Sequence, residues 1–119
     1  MEKVTGIGGL FFRAKDPKAL AKWYNDHLGV APVPTSGDEE PWKQEAGTCA
    51  FSPFKESTTY FGEGGKAWMV NFRVANLDAM AAQLTAAGIA VEINPDESFG
   101  RFARLYDPEG NPIELWQEV

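Results

Sequence analysis

The chain repeats itself. Gly9-Leu-Phe-Phe-Arg-Ala-Lys-Asp16 aligns with Met69-Val-Asn-Phe-Arg-Val-Ala-Asn76. Phe12 then meets Phe72, Arg13 meets Arg73 and Asp16 meets Asn76, at an offset of 76 − 16 = 60 residues. A helical pattern follows each segment and ends at a glycine, Gly29 or Gly88. A fixed internal period means one supersecondary unit built twice, which restricts the fold more than composition does. The modules run over about 6–62 and 65–119, within a single domain of 119 residues.

Each module can be read physically. Leu10, Phe12 and Ala14 alternate with Phe11 and Arg13, and Val70, Phe72 and Val74 repeat the alternation, which is strand periodicity. Asp16 precedes Pro17, a capping side chain before a residue preset for the first helical position, and Asn76 caps the second helix. Leu20, Trp23, Tyr24 and Leu28 form one helical stripe; Leu77, Met80, Leu84 and Ala87 form the other. Gly29 and Gly88 stop the helices. Three strand candidates follow each helix: Trp42 to Glu45, Thr48 to Pro53 and Thr58 to Phe61, then Ile89 to Ile93, Arg101 to Tyr106 and Pro112 to Gln117. Asp107-Pro-Glu-Gly-Asn111 suits a tight turn between the last two. The fold class is therefore α+β: two tandem βαβββ modules forming a curved eight-stranded mixed sheet with a cleft.

A net charge of −6 excludes a basic nucleic-acid or anionic-membrane surface, so the expectation is no nucleic acid and no membrane. The single cysteine, Cys49, cannot form an internal disulfide, and no basic-then-apolar leader opens the chain. A cytoplasmic protein is expected. Cys49 reads as a small buried hydrophobe on a central strand, not a nucleophile. His27, in the last turn of the first helix, reads as structural. Gly62-Glu-Gly-Gly65 lacks the Lys-Ser/Thr ending of a phosphate loop.

Three strings resemble the vicinal-oxygen-chelate superfamily of glyoxalases, bleomycin-resistance proteins and dioxygenases. They are Phe12-Arg-Ala-Lys-Asp-Pro17 leading into Trp23-Tyr-Asn-Asp-His-Leu-Gly29, then Asn71-Phe-Arg-Val74, then Asp107-Pro-Glu-Gly-Asn-Pro-Ile-Glu-Leu-Trp116. The resemblance covers nearly the whole chain and implies a divalent-metal cleft, commonly in a homodimer. Its metal ligands are a His on the first strand, a His or Gln on the strand opening the second module, a Glu on the last strand, and one residue from the first module's last strand. Those positions fall here on Gly9, Met69 and Glu114, while Thr58 to Phe61 offers only hydroxyls. Glycine has no donor atom, and a thioether suits soft ions. One carboxylate is too weak a cage, so no metal or other cofactor is expected; a divalent metal held through Glu114 is the alternative.

Strand parity places Phe11, Arg13, Met69, Asn71, Phe102, Arg104, Glu114 and Trp116 in the cleft. If Asp107 to Asn111 is the loop, Tyr106 pairs with Pro112, Arg104 with Glu114 and Phe102 with Trp116. An Arg104–Glu114 ion pair would then supply the charge that a metal supplies in relatives. Among the other aromatics, Trp42, Trp68, Phe51, Phe54 and Tyr60 read as core. Three functions compete. The first is a metal-free binder of a small aromatic or partly cationic molecule. The second is a metal-dependent lyase, isomerase or dioxygenase using Glu114. The third is a metal-free enzyme with Glu114 as base; whether the chain is an enzyme stays open.

Overall fold

The computed structural model describes residues 1–119. Helix α1, Pro17–Leu28, forms as its signals predict. The Asp16 side chain accepts the Ala19 amide at 3.1 Å, and Gly29 closes the helix in the left-handed region at φ 72°. Helix α2, Leu77–Ala86, is capped in the same way by Asn76, which accepts the Ala79 amide at 3.0 Å. A glutamine side chain adds a second cap, because Gln117 Oε1 accepts the Leu77 amide at 2.7 Å. The end of the last strand and the start of α2 are thereby tied together.

The sheet consists of β1 Val70–Arg73, β2 Glu92–Ile93, β3 Gly100–Tyr106 and β4 Pro112–Glu118. The strand order is β1-β4-β3-β2, with β1 parallel to β4 and the other pairs antiparallel. The β3–β4 register is the one the five-residue turn predicts: Tyr106 opposite Pro112, Arg104 opposite Glu114, Phe102 opposite Trp116. Pro112 opens its strand, a position where a missing N–H costs no ladder bond.

One face of the sheet carries the core. Ala103, Leu105, Ile113 and Leu115 pack against Leu20 and Tyr24 of α1 and Leu77 and Leu84 of α2, with Val70 and Phe72 at the margin. Burying each of these leucines removes apolar area worth about 1.5–3 kcal/mol from water. The helix of the first module is therefore a lid on the sheet of the second.

The mixed sheet has four strands, all from the second half, where the repeat predicts eight. Leu10 to Ala14, Trp42 to Glu45, Thr48 to Pro53 and Thr58 to Phe61 lie outside strands. The free edges of β1 and β2 are not taken up by these segments, whose apolar side chains stay largely in solvent. Phe11 is 92% exposed and Phe51 84%, with Trp42 and Phe54 also open. Cys49 is exposed rather than buried on a strand, for the same reason. The total accessible surface is 9130 Å², against about 6,400 Å² for a compact monomer of this mass.

A buried polar knot joins the halves. The Tyr24 hydroxyl donates to Asp107 Oδ2 at 2.6 Å, as does Asn111 Nδ2 at 2.7 Å. Asp107 Oδ1 accepts the amides of Glu109 at 2.8 Å and Asn111 at 3.0 Å. Asp107 is 4% exposed and Asn111 2%. The turn string is thus a folded carboxylate socket for α1. Burial and the adjacent Asp107 hold the Tyr24 hydroxyl protonated well beyond the ordinary tyrosine range. The same turn reaches the chain before α1: Glu109 accepts the Lys15 amide at 2.6 Å and the Asp16 amide at 3.0 Å.

Candidate functional site

The other face of the sheet is open, and its register sorts the side chains into rows. Asn71 stands opposite Glu114, Glu114 opposite Arg104, and Arg104 opposite Glu92. Paired residues share a face, so these four make one polar row across all four strands. Beside it, Arg73 stands opposite Trp116 and Trp116 opposite Phe102. The Phe102 and Trp116 rings stack parallel within 4°, with centroids 6.1 Å apart, and form an aromatic pair on this face. Phe99 meets the edge of Phe102 at 5.5 Å, and its carbonyl accepts Trp116 Nε1 at 3.2 Å, which holds the indole in place.

Tyr60 reaches this row from the first half. Its hydroxyl donates to Glu114 Oε2, while Asn71 Nδ2 donates to Glu114 Oε1 at 2.7 Å. The Tyr60 ring covers the Arg104 guanidinium, with the central carbon 4.4 Å from the ring centroid. Arg104 makes no ion pair with Glu114, although the two stand in register; the phenol takes the carboxylate oxygen instead. Arg104 Nε is buried without a hydrogen-bond partner. An open groove of about 390 Å³ runs beside it, lined by Tyr60, Val91, Glu92, Asn94, Arg104 and Tyr106. Burial, then the hydrogen bond to Glu114, pushes the Tyr60 hydroxyl up to about 12, so it stays a neutral donor at physiological pH.

Not every residue assigned to the cleft by parity lies here. Asn71, Phe102, Arg104, Glu114 and Trp116 meet on the open face. Met69 is half-buried just before β1. The Phe11 ring folds back over Gly9, 3.1 Å from where a Cβ on that glycine would stand, and is otherwise in solvent. Arg13 lines a separate hollow with Lys15, Gly64, Lys66 and Glu109. His27 packs its ring 5.3 Å from Trp23 on α1. Tyr60 is the contact that parity within the second half could not supply. The only signal for it was that the segment Thr58 to Phe61 offers hydroxyls where relatives place a ligand.

The donor set does not fit the superfamily's divalent ion. Gly9 has no donor, Met69 is a thioether, and both Glu114 oxygens already accept hydrogen bonds. No three side chains of His, Cys, Asp and Glu come together as a cation site. Arg73 points elsewhere: its Nη2 donates to the Glu45 carbonyl at 2.8 Å and pins the segment 45–47 across the end of β1. Chemically, the face offers a stacked aromatic pair, the Arg104 cation between the carboxylates of Glu92 and Glu114, and neutral donors.

Comparison with known proteins agrees with this architecture. No curated protein matches the chain. TnmS3, an antibiotic binding protein from Streptomyces sp. CB03234, matches over 100% of both chains with 21% identity and a TM-score of 0.68. A glyoxylase/bleomycin resistance protein/dioxygenase domain from Frankia sp. EAN1pec matches over 98% of this chain and 100% of its own, with 15% identity and a TM-score of 0.62. A glyoxalase/bleomycin resistance protein from Streptomyces sp. CB03234 is 38% identical, but only over 40% of this chain and 42% of that one, with a TM-score of 0.38. The Glyoxalase-like domain family matches residues 9–116, nearly the whole length. With the repeat, the capped helices and the Asp107–Asn111 socket in place, the chain belongs to the glyoxalase-like domain family of the vicinal-oxygen-chelate superfamily.

Proposed function

We propose that this protein binds a small aromatic molecule on the open face of its sheet, without a tightly held metal ion. The observation that carries the reading is the stacked Phe102–Trp116 pair lying directly beside the polar row of Asn71, Glu114 and Arg104. Small-ligand sites combine an apolar, aromatic surface with a few placed polar groups. The shared fold with an antibiotic binding protein supports the same class of role. Glu114 contributes as a hydrogen-bond acceptor; with both oxygens taken it is a poor general base. The test is a titration with proflavine, a flat cationic dye followed by its own anisotropy. Saturable binding that weakens about tenfold on Trp116→Leu is expected, since stacking on an aromatic residue is worth about 1–3 kcal/mol. No saturable binding by the native protein would remove the reading.

A second copy of the chain is the partner assigned to the exposed first-half segments. Each chain exposes about 2,700 Å² more than a compact monomer would. Stable obligate dimers bury about 2,000 to more than 5,000 Å² counted over both partners, and the excess of two chains together, about 5,400 Å², is enough to supply an interface at the upper end of that range. The apolar part includes Phe11, Phe51 and Val33. Sedimentation equilibrium should give twice the chain mass, and Phe51→Glu should shift it toward the monomer. A native monomer at every concentration would refute the assignment.

A further inference from the structure

Tyr60 sits on the polar row in the manner of a ligand. Its hydroxyl donates to Glu114, and its ring covers Arg104. It does not belong to the sheet. It lies in a turn, with its own amide donating to Thr58 Oγ1 at 3.2 Å and the Gly62 amide to the Thr59 carbonyl at 3.1 Å. Phe54 stacks on its outer side at 6.0 Å. Moving Tyr60 away therefore breaks no strand pairing. What it would uncover is a carboxylate oxygen needing a donor, a guanidinium face and the adjoining groove.

The charges around the row decide what else could take this place. Arg104 is one cation between two in-register carboxylates, Glu92 and Glu114. An anionic ligand would be repelled by both, and a phenolate would face the Glu114 oxygen that needs a proton donor. An aliphatic alcohol could donate but has no ring face for the guanidinium. A neutral aromatic ring bearing a hydroxyl meets both needs. We propose, on the small-molecule reading above, that the row is a phenol-binding site which Tyr60 fills in the free chain. A phenolic ligand enters by displacing Tyr60 and taking over its two contacts. Tyr60 is then a tethered competitor that sets the threshold for binding, at the millimolar effective concentration typical of a short tether.

The experiment is calorimetric titration with p-cresol, the side chain of tyrosine as a free molecule, and with its methyl ether, which keeps the ring but cannot donate. Tyr60→Ala should bind p-cresol at least about tenfold more tightly than the native protein, because the tethered competitor is gone. The methyl ether should bind the variant about tenfold more weakly than p-cresol, the share of a hydrogen bond to a charged acceptor. Adding Glu114→Leu should abolish that preference. A folded Tyr60→Ala that does not bind p-cresol, or that binds phenol and ether alike, overturns the proposal. Should Tyr60→Ala fail to fold, the native protein with isotope-labelled tyrosine decides. Tyr60 ring signals that move to solvent-exposed values on adding p-cresol support displacement, and unmoved signals up to the solubility of p-cresol overturn it. Proflavine binding without phenol preference leaves the small-molecule reading standing and this inference fallen; loss of both removes the reading itself.

Discussion

Replacing Tyr24 by Phe tests whether the halves of the chain are held together by the buried carboxylate of Asp107. The substitution keeps the ring that packs against Phe72 and Trp23 and removes only the hydroxyl. Asp107 then loses one of four donors, the other three coming from the turn itself. A hydrogen bond to a charged group contributes about 1.5–3 kcal/mol. At about 2.1 cal/mol/K of unfolding entropy per residue, each kcal/mol moves the midpoint of this 119-residue chain by about 4 °C. Tyr24→Phe should therefore lower Tm by about 6–12 °C in calorimetry, with an unchanged urea m-value. Asp107→Asn should cost more, because an amide nitrogen would face donors on a buried atom. Tyr24→Phe in that background should then cost less than in the native protein, with a coupling of about 0.5–3 kcal/mol. Additive effects, or a Tyr24→Phe loss below about 0.5 kcal/mol, would show that α1 is held by apolar packing alone.

Three further outcomes are expected. The Tyr60 hydroxyl is raised to about 12 in the folded state from 10.0, so its contribution is full below pH 10 and lost as pH rises through 12. Denaturant midpoints should fall across that window, less steeply in Tyr60→Phe, and an ultraviolet titration showing Tyr60 ionising at its ordinary value would contradict this. Gly100 holds φ +148°, and a Cβ there would stand 2.6 Å from the Gln117 carbonyl. Gly100→Ala should thus lose at least about 1–3 kcal/mol by denaturant titration, and a neutral effect would refute the strain. Glu109→Ala should speed amide hydrogen exchange at Lys15 and Asp16 while leaving β3 and β4 protected, because only Glu109 joins those two amides to the turn.

Much of this was legible where the physics is local. Asp16, Asn76 and Gly29 mark their helices because a cap acts within one turn. The register of β3 and β4 followed from a single loop length, and it placed Glu114 beside Arg104 and Phe102 beside Trp116. Strands in the first half were read from an equally regular alternation. Alternation, however, records a preference for being half-buried, not the presence of a neighbour to bury against. Phe11 and Phe51 carry that preference without a neighbour in this chain. Tyr60 was illegible for a related reason: it lies 54 residues from Glu114, and no periodicity spans such a distance.

The exchange of Arg104 for Tyr60 as the partner of Glu114 follows from where the carboxylate sits. A direct ion pair is most favourable in a dry interior, where two charges about 4 Å apart interact far more strongly than at a surface. Glu114 is only half-buried, on the open face, so much of that gain would be lost to solvent. Two neutral donors, the Asn71 amide and the Tyr60 phenol, satisfy the carboxylate at less cost, and the phenol ring also covers the Arg104 guanidinium. Gly9 and Met69, at the other ligand positions that the resemblance implies, offer no imidazole to hold a metal ion beside Glu114. Asn71 and Tyr60 supply hydrogen bonds in its place. An incoming divalent ion would compete with those donors for the carboxylate and gain only one carboxylate ligand. The residues that make Glu114 tolerable without a metal are thus the same ones that oppose its recruitment.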